Sequence, residues 1–401
     1  MSGPLQGYRI LDLTTVFLGP YAAQILGDLG AEVIKVETPE GDIVRGIEPS
    51  RNPGMGSAFL SANRNKRGLA LDLKAPAGRE AFLKLVAGAD ALVSSVRPAA
   101  LERLGLGYED CRAVNPKIVY CNIVGFGQDG PYAAKPAYDD IIQGLSGMAA
   151  AQAATTGEPR YVNQPICDKI TSQVSVYAVV AALLHRERTG EGQQVEVPML
   201  ETLVGFNMLE HQAGTVFDPP LGGPGYTRVL APFRRPYATA DGYVCILPYS
   251  TKQWRAFLSV VGREDLHDDP RITDPKVRSE KVGEMYEILA EAVKDRGTDE
   301  LLAAVEEADV PAGKVNMLDE IADDPHIAAV GFFQHHDHPT EGRVRHTGIP
   351  VKFSAGPCDV RRLAPNLGEH SREVLLEAGL SNDEIDALVS DGVAVDGGRG
   401  G

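Results

Sequence analysis

The chain has 401 residues, 43% of them hydrophobic and 23% charged, which gives ample material for a large core and exceeds the usual length of one domain. Its formal net charge of -16 argues against nucleic acid and anionic membrane as partners, because both reward an overall basic surface. An anionic small ligand is not excluded: charges beyond about 8 Å are largely screened at physiological salt, so a local group of Arg and Lys can still hold phosphate.

No run of 18 or more apolar residues occurs, and the opening MSGPLQGYRILDL lacks the basic start and long apolar stretch of a secretory signal. A soluble, cytoplasmic protein is expected. Cys111, Cys121, Cys167, Cys245 and Cys358 form no CxxC pair, so neither a disulfide framework nor a zinc ribbon is suggested.

From Tyr8 to Glu37 the chain reads as an apolar run, a Gly-Pro turn, an amphipathic helix and a second apolar run, a β-α-β unit. The pattern recurs: a helix near Pro76 to Ala89, the strand Ala91 to Val96, a short helix near Ala99 to Arg103, and the strand Ile118 to Phe126. Buried apolar strands alternating with helices predict an α/β fold, a doubly wound parallel sheet covered on both faces. The most apolar helix spans Thr171 to Thr189; its basic end and Gly190 suit a helix C-terminus, and the strand QVEVPML follows.

DPPLGGPGY (Asp218 to Tyr226) breaks this rhythm as a linker or lid. Beyond it RRPYATADGYVCILPYS has the alternation and Asp-Gly turn of a hairpin, and Glu- and Lys-rich helices run from about Thr251 to Glu307. The expected organisation is therefore a large domain over 1–200, a linker over 201–225, a small α+β domain over 226–325, and a return segment over 326–390. Turns, a strand around VKFS and the short helix REVLLEAG occupy that return segment. A disordered tail is expected over 391–401.

Three motifs invite chemistry. Gly125 to Gly130 spells GxGxxG after a strand, but Pro131 to Pro136 cannot cleanly open the helix that a dinucleotide site needs, so a loop turn is the better reading. His335-His336-Asp337-His338 lacks the helical i, i+4 spacing of a metal pair and reads as a solvated loop; no metal is expected. Basic residues concentrate early, at Arg45, Arg64, Lys66, Arg67, Lys74, Arg97, Arg103 and Lys135, several after strand ends where open α/β sheets bind ligands. Each could be ordinary surface charge, yet together they suit a phosphate-rich ligand. Asp168, in QPICDKITSQ just ahead of the apolar helix, could be a simple N-cap or a reactive carboxylate.

The order of these segments resembles the CaiB/BaiF, or family III, CoA-transferases over nearly the whole chain. The resemblance rests on RILDLTTVFLGPYAAQILGDLGAEVIKVE with Asp42 and Arg45 beyond it, and on NRNKRGLALDLKAPAGRE and ADALVSSVRPAALERLGLGYE. It continues through NPKIVYCNIVGFGQDGPYAAKPAYDDIIQGLSG, CDKITSQVSVYAVVAALLHRERTGEGQQVEVPML and PNLGEHSREVLLEAGL. It implies that Asp168 is the nucleophile and that Val16, Leu71, Lys74, Ser95, Arg97, Arg103, Lys135 and Tyr138 bind the CoA moiety. Gly222, Gly223 and Gly225 would be what remains of a glycine lid.

Departures from the formyl-CoA transferases of the family are Thr15 and Phe17 in the first loop, Thr38 and Ser95, which point away from formate and oxalate. The resemblance further implies a Rossmann-like large domain and an interlocked homodimer, with acyl-CoA and a free carboxylic acid as substrates and no permanently bound cofactor. Two alternatives stand beside transfer. An α-methylacyl-CoA racemase would need a second base where Tyr138 stands, and a phenol with an ordinary pKa near 10 is a poor one. A catalytically silent CoA-binding protein would have no use for the aspartate.

Overall fold

The computed structural model describes residues 3–399. Its chain divides into two compact units, one of residues 1–146, 163–205 and 329–401 and a smaller one of 147–162 and 206–328. The boundary differs from the expected one. Residues 147–162 join the smaller unit, and 201–205, read as linker, continue the helix Met199–His211.

The large unit is built on β1 (Arg9–Leu13), β2 (Glu32–Glu37), β3 (Lys66–Leu71), β4 (Ala91–Ser94), β5 (Val119–Val124) and β6 (Gln193–Pro198). These pair in the order β3-β2-β1-β4-β5-β6, all parallel, which is the doubly wound order with a reversal between β1 and β4. The apolar sequences of β4 and β5, buried along their whole length, follow from cover on both faces. Leu11, Ile34, Leu69 and Leu92 pack with Phe82, Leu85 and Val86 of the helix Pro76–Ala87, and with Val374 and Leu375 of the helix Ser371–Glu377. The return segment thus supplies part of the core.

The smaller unit carries the antiparallel strands β7 (Tyr237–Ala238), β8 (Tyr243–Ile246) and β9 (Ala312–Lys314), with β7 and β8 forming the expected hairpin. The helices Thr251–Val260, Val282–Val293 and Thr298–Glu307 cover this sheet around Trp254, Phe257, Met285, Leu289 and Val305.

Three expectations need correction. His335 to His338 lies in β10 (Phe333–His338), paired with β11 (Gly342–Thr347), and the VKFS stretch forms no strand. His338 is buried, with its Nε2 2.8 Å from the Ala364 carbonyl, a structural bond that a solvated loop would not make. The tail is not a loose end over its described part: β12 (Ala394–Val395) adds an antiparallel edge strand to β3, because Asp72 N–H also bonds the Val393 carbonyl at 2.7 Å. Gly400 and Gly401 lie outside the described residues.

Candidate active site

In an open α/β sheet the strand C-termini on either side of the reversal point diverge and leave a crevice. Here that crevice is a 260 Å³ cleft lined by Thr15 and Val16 after β1, Ser95 and Arg97 after β4, Gly125 and Gln128 after β5, then Lys135, Tyr138, Asp168 and Met199. Six of the expected binding and catalytic positions therefore converge: Val16, Ser95, Arg97, Lys135, Tyr138 and Asp168. Three do not line it. Leu71 is buried in the core, and Lys74 and Arg103 are exposed elsewhere on the same unit.

The apolar helix begins at Ile166 rather than Thr171, so Asp168 is its third residue and not its cap. Pro165 occupies the cap position and offers no side-chain bond. The Asp168 N–H is satisfied instead by Asp139 Oδ2 at 2.9 Å, and Gln143 Nε2 fixes the other Asp139 oxygen at 2.6 Å. Asp139 opens the helix Asp139–Leu145 directly after Tyr138. It went unnoticed in the sequence, although a pair of acids at a helix start is a visible signal.

Among the described residues no hydrogen bond reaches the Asp168 carboxylate. Burial, and secondarily the charge of Asp139, pushes its pKa up from 3.8 to about 7. A helix N-terminus favours an anion by only about 0.3–1 kcal/mol, too little to offset that burial. Asp168 is therefore poised to titrate near neutral pH rather than in the ordinary carboxylate range.

The loop over it is held from below by buried charge. Lys35 Nζ donates to the Thr14 carbonyl and to Asp42 Oδ2, each at 3.0 Å, while Asp42 Oδ1 accepts the Val16 N–H at 3.2 Å. Lys66 Nζ donates to Asp12 Oδ2 at 2.8 Å, and Asp12 Oδ1 accepts the Thr14 N–H at 3.1 Å. Above them the Thr15 N–H reaches Ser95 Oγ at 3.2 Å, tying the loop after β1 to that after β4. Burial pulls the Lys35 ammonium down, but Asp12, Glu37 and Asp42 together outweigh it and raise its pKa. Lys66 is lowered to about 8 because burial outweighs Asp12.

This scaffold keeps Val16 at φ 69°, a left-handed conformation that a β-branched residue adopts only under constraint. The constraint presents Val16 to the cleft. Gly19 is needed below, since a Cβ there would lie 2.3 Å from Thr14 Cβ.

The same burial overturns part of the phosphate reading. Arg45 is paired with Glu37 at 2.7 Å, Arg64 with Asp28 at 2.7 Å and Lys66 with Asp12 at 2.8 Å, and Arg67 bonds Glu32, Glu373 and Glu377. These four serve the fold. Arg97 and Lys135 remain as cations on the cleft. Arg97 precedes the helix Pro98–Arg103, and the Lys135 ammonium sits 3.7 Å from the centre of the Tyr132 ring.

The GxGxxG stretch makes turns, as expected. Gly125 packs where a Cβ would meet Ala137 Cβ at 2.3 Å, and the Gly127 and Gln128 N–H groups bond Glu201 and Glu196 rather than open a helix. Gly222 to Gly225 lies in the smaller unit, where Leu221 N–H bonds the Gly214 carbonyl at 3.0 Å and Gly225 N–H the His211 carbonyl at 2.8 Å.

A carboxylate and two cations gathered in the cleft at the switch point of a doubly wound sheet suit a phosphate-bearing ligand with a reactive group near Asp168. Comparison with known proteins narrows this. Residues 5–371 match the family model of CoA-transferase family III, and the chain belongs to that family, whose enzymes move CoA between carboxylic acids.

A succinate–glutarate CoA-transferase of Agrobacterium fabrum is 34% identical over 385 residues, 93% of this chain and 95% of that protein. A formyl-CoA:oxalate CoA-transferase of Streptomyces avermitilis is 32% identical over 419 aligned positions, 98% of this chain and 100% of that protein. Among solved structures, a CaiB/BaiF family protein from Brucella suis superimposes with a TM-score of 0.81 at 30% identity, covering 94% of this chain and all of that one.

Proposed function

We propose that Asp168 carries the transfer covalently. The supporting observation is its carboxylate, half-buried in the cleft and, among the described residues, without a hydrogen bond to blunt it. A carboxylate oxygen of Asp168 attacks the carbonyl carbon of the donor acyl-CoA, the C–S bond breaks, and a mixed anhydride and CoA thiolate form. The thiolate attacks the Asp168 carbonyl carbon, and the donor acid leaves with the bridging oxygen. An acceptor carboxylate then attacks the aspartyl-CoA thioester, releasing thiolate and forming a second anhydride. Attack of the thiolate on the acceptor's carbonyl gives the new acyl-CoA and restores Asp168.

The residues divide this work. Arg97 and Lys135 hold phosphate oxygens at the mouth, with Lys74, Arg103 and the Leu71 region contacting outlying parts of the coenzyme. Val16 and Ser95 shape the wall, and Ile123, Val124 and Met199 keep it apolar, which slows hydrolysis of the anhydride. Gly222, Gly223 and Gly225 serve as a lid that excludes water. Tyr138, 72% exposed, stands where a racemase would need its second base, and among the described residues no histidine lines the cleft, which supports transfer over racemisation.

A homodimer is part of the reading. Tyr177 and Leu184 of the helix Ile166–Thr189 are 63% and 50% exposed, and in the smaller unit Leu209 is 85% and Val216 62% exposed. Apolar side chains left so open on both units suit coverage by a second copy.

The name of the Agrobacterium relative makes succinyl-CoA the first donor to screen. The test is Asp168→Asn, which keeps shape and polarity but removes the nucleophile. It should bind CoA and lose transfer, while wild type incubated with donor gains mass on the peptide containing Asp168. Substantial turnover by the amide, in protein free of deamidation, would overturn the assignment.

A further inference from the structure

The smaller unit holds a second cavity, of 200 Å³, whose walls are Tyr226, Tyr249, Trp254, Met285 and Tyr286 with Arg228 and Arg278. Trp254, Met285 and Tyr286 are buried. Arg228 donates from Nε to the Tyr286 hydroxyl at 3.0 Å, and its guanidinium lies 4.7 Å from the centre of the Tyr249 ring. Arg278 is held by its surroundings: it donates to the Tyr249 carbonyl at 3.1 Å and to Thr251 Oγ1 at 2.6 Å.

Neither arginine has a salt-bridge partner among the described residues, in a chain with 55 acidic against 39 basic side chains. The acids nearby are committed elsewhere. Asp274 caps its own helix through the Lys276 and Val277 N–H groups, Asp269 pairs with Arg271, and Glu284 pairs with Arg271 and Lys281. Two cations without counter-ions, set in a ring of aromatic and apolar walls, describe a receptor for an anion with a hydrophobic body.

We propose that this cavity binds a small organic acid, its carboxylate on Arg228 and its carbon skeleton against Trp254, Met285 and the tyrosine rings. A water takes about 30 Å³ in the liquid, so a cavity of 200 Å³ suits a compact mono- or dicarboxylate. The guanidinium supplies paired donors to the carboxylate, and it is already held by the Tyr286 hydroxyl and the Tyr249 ring, so little side-chain freedom is lost on binding.

Trp254 is the only tryptophan of the chain, so selectively excited tryptophan emission reports on this cavity. Asp168→Asn protein is titrated with glutarate and with benzoate, and with benzamide as the uncharged control. The acid should change the emission saturably and benzamide should not. Arg228→Met should weaken acid binding by roughly ten- to a hundredfold, the range of a lost charged hydrogen bond, and Arg228→Lys by less.

Titration calorimetry on the same proteins covers an acid that binds without altering the emission. Binding that is absent from both measurements, or unchanged in Arg228→Met and Arg228→Lys, overturns the proposal. Steady-state kinetics with Asp168 intact then separates two sources of the acid. A raised KM for the acid in Arg228→Lys makes it the transferred group, a result that rests on the proposed transfer. Lost binding with unchanged KM makes it a separate effector, and the site stands without that reading.

Discussion

Replacing Asp168 by Asn should make the protein more stable at neutral pH, because its carboxylate is held where its charge is unfavourable. Its folded pKa of about 7 lies above its ordinary value of 3.8, a separation caused first by burial and then by Asp139. The native state therefore binds this proton more tightly than the unfolded chain. Its contribution to stability is fully present below the unfolded pKa, declines as pH rises through that interval, and is lost above about 7. At roughly 1.4 kcal/mol per pH unit the full swing is at most about 4 kcal/mol. The neutral amide does not titrate, so the gap between variant and wild type should open from near zero at pH 4 toward several kcal/mol at pH 8. Urea denaturation of both proteins at those two pH values measures it. A gap that is the same at both would refute the buried-charge account of the site.

Lys66→Met should destabilise the protein by about 3–5 kcal/mol by leaving Asp12 buried without its partner, and adding Asp12→Asn should recover most of that loss in the same denaturation assay. Failure of the second change to rescue the first would show that the pair does not act as a unit. Arg97→Ala should weaken CoA binding about tenfold, as expected for one charged hydrogen bond, and Arg103→Ala, outside the cleft, should cost less. Calorimetry with CoA decides; a larger loss at Arg103 would move the phosphates out of the cleft.

The doubly wound sheet was legible because short apolar runs alternate along the chain with amphipathic helices. Charged residues inside those strands carried information that a surface reading missed. Lys35 and Lys66 sit in buried strands, and so do Asp12 and Glu37, so each needs a partner within the fold. Pairing of β1 with β2 and of β2 with β3 brings them together, and tertiary register of that kind has no local signature. Arg45, Arg64, Lys66 and Arg67 were for this reason grouped with cations that could hold phosphate or lie on the surface, when they are internal counter-ions.

The helix start at Ile166 was hidden by Cys167-Asp168-Lys169, whose polarity resembles a cap, while the real support for its first turn comes from Asp139, 29 residues away. β12 was hidden by the glycines that follow it. Asp168 itself needed the family resemblance, since a lone aspartate before an apolar helix has an ordinary structural explanation.

The covalent role of Asp168 can be tested by the fate of one oxygen atom. When an acceptor acid attacks the aspartyl-CoA thioester, one of its carboxylate oxygens becomes the anhydride bridge and remains on Asp168 when the thiolate takes the acyl group. After a single turnover with an acceptor carrying ¹⁸O in both carboxylate oxygens, mass spectrometry of the peptide spanning Asp168 should show one ¹⁸O gained. Transfer at full rate with no label on that peptide would contradict the account.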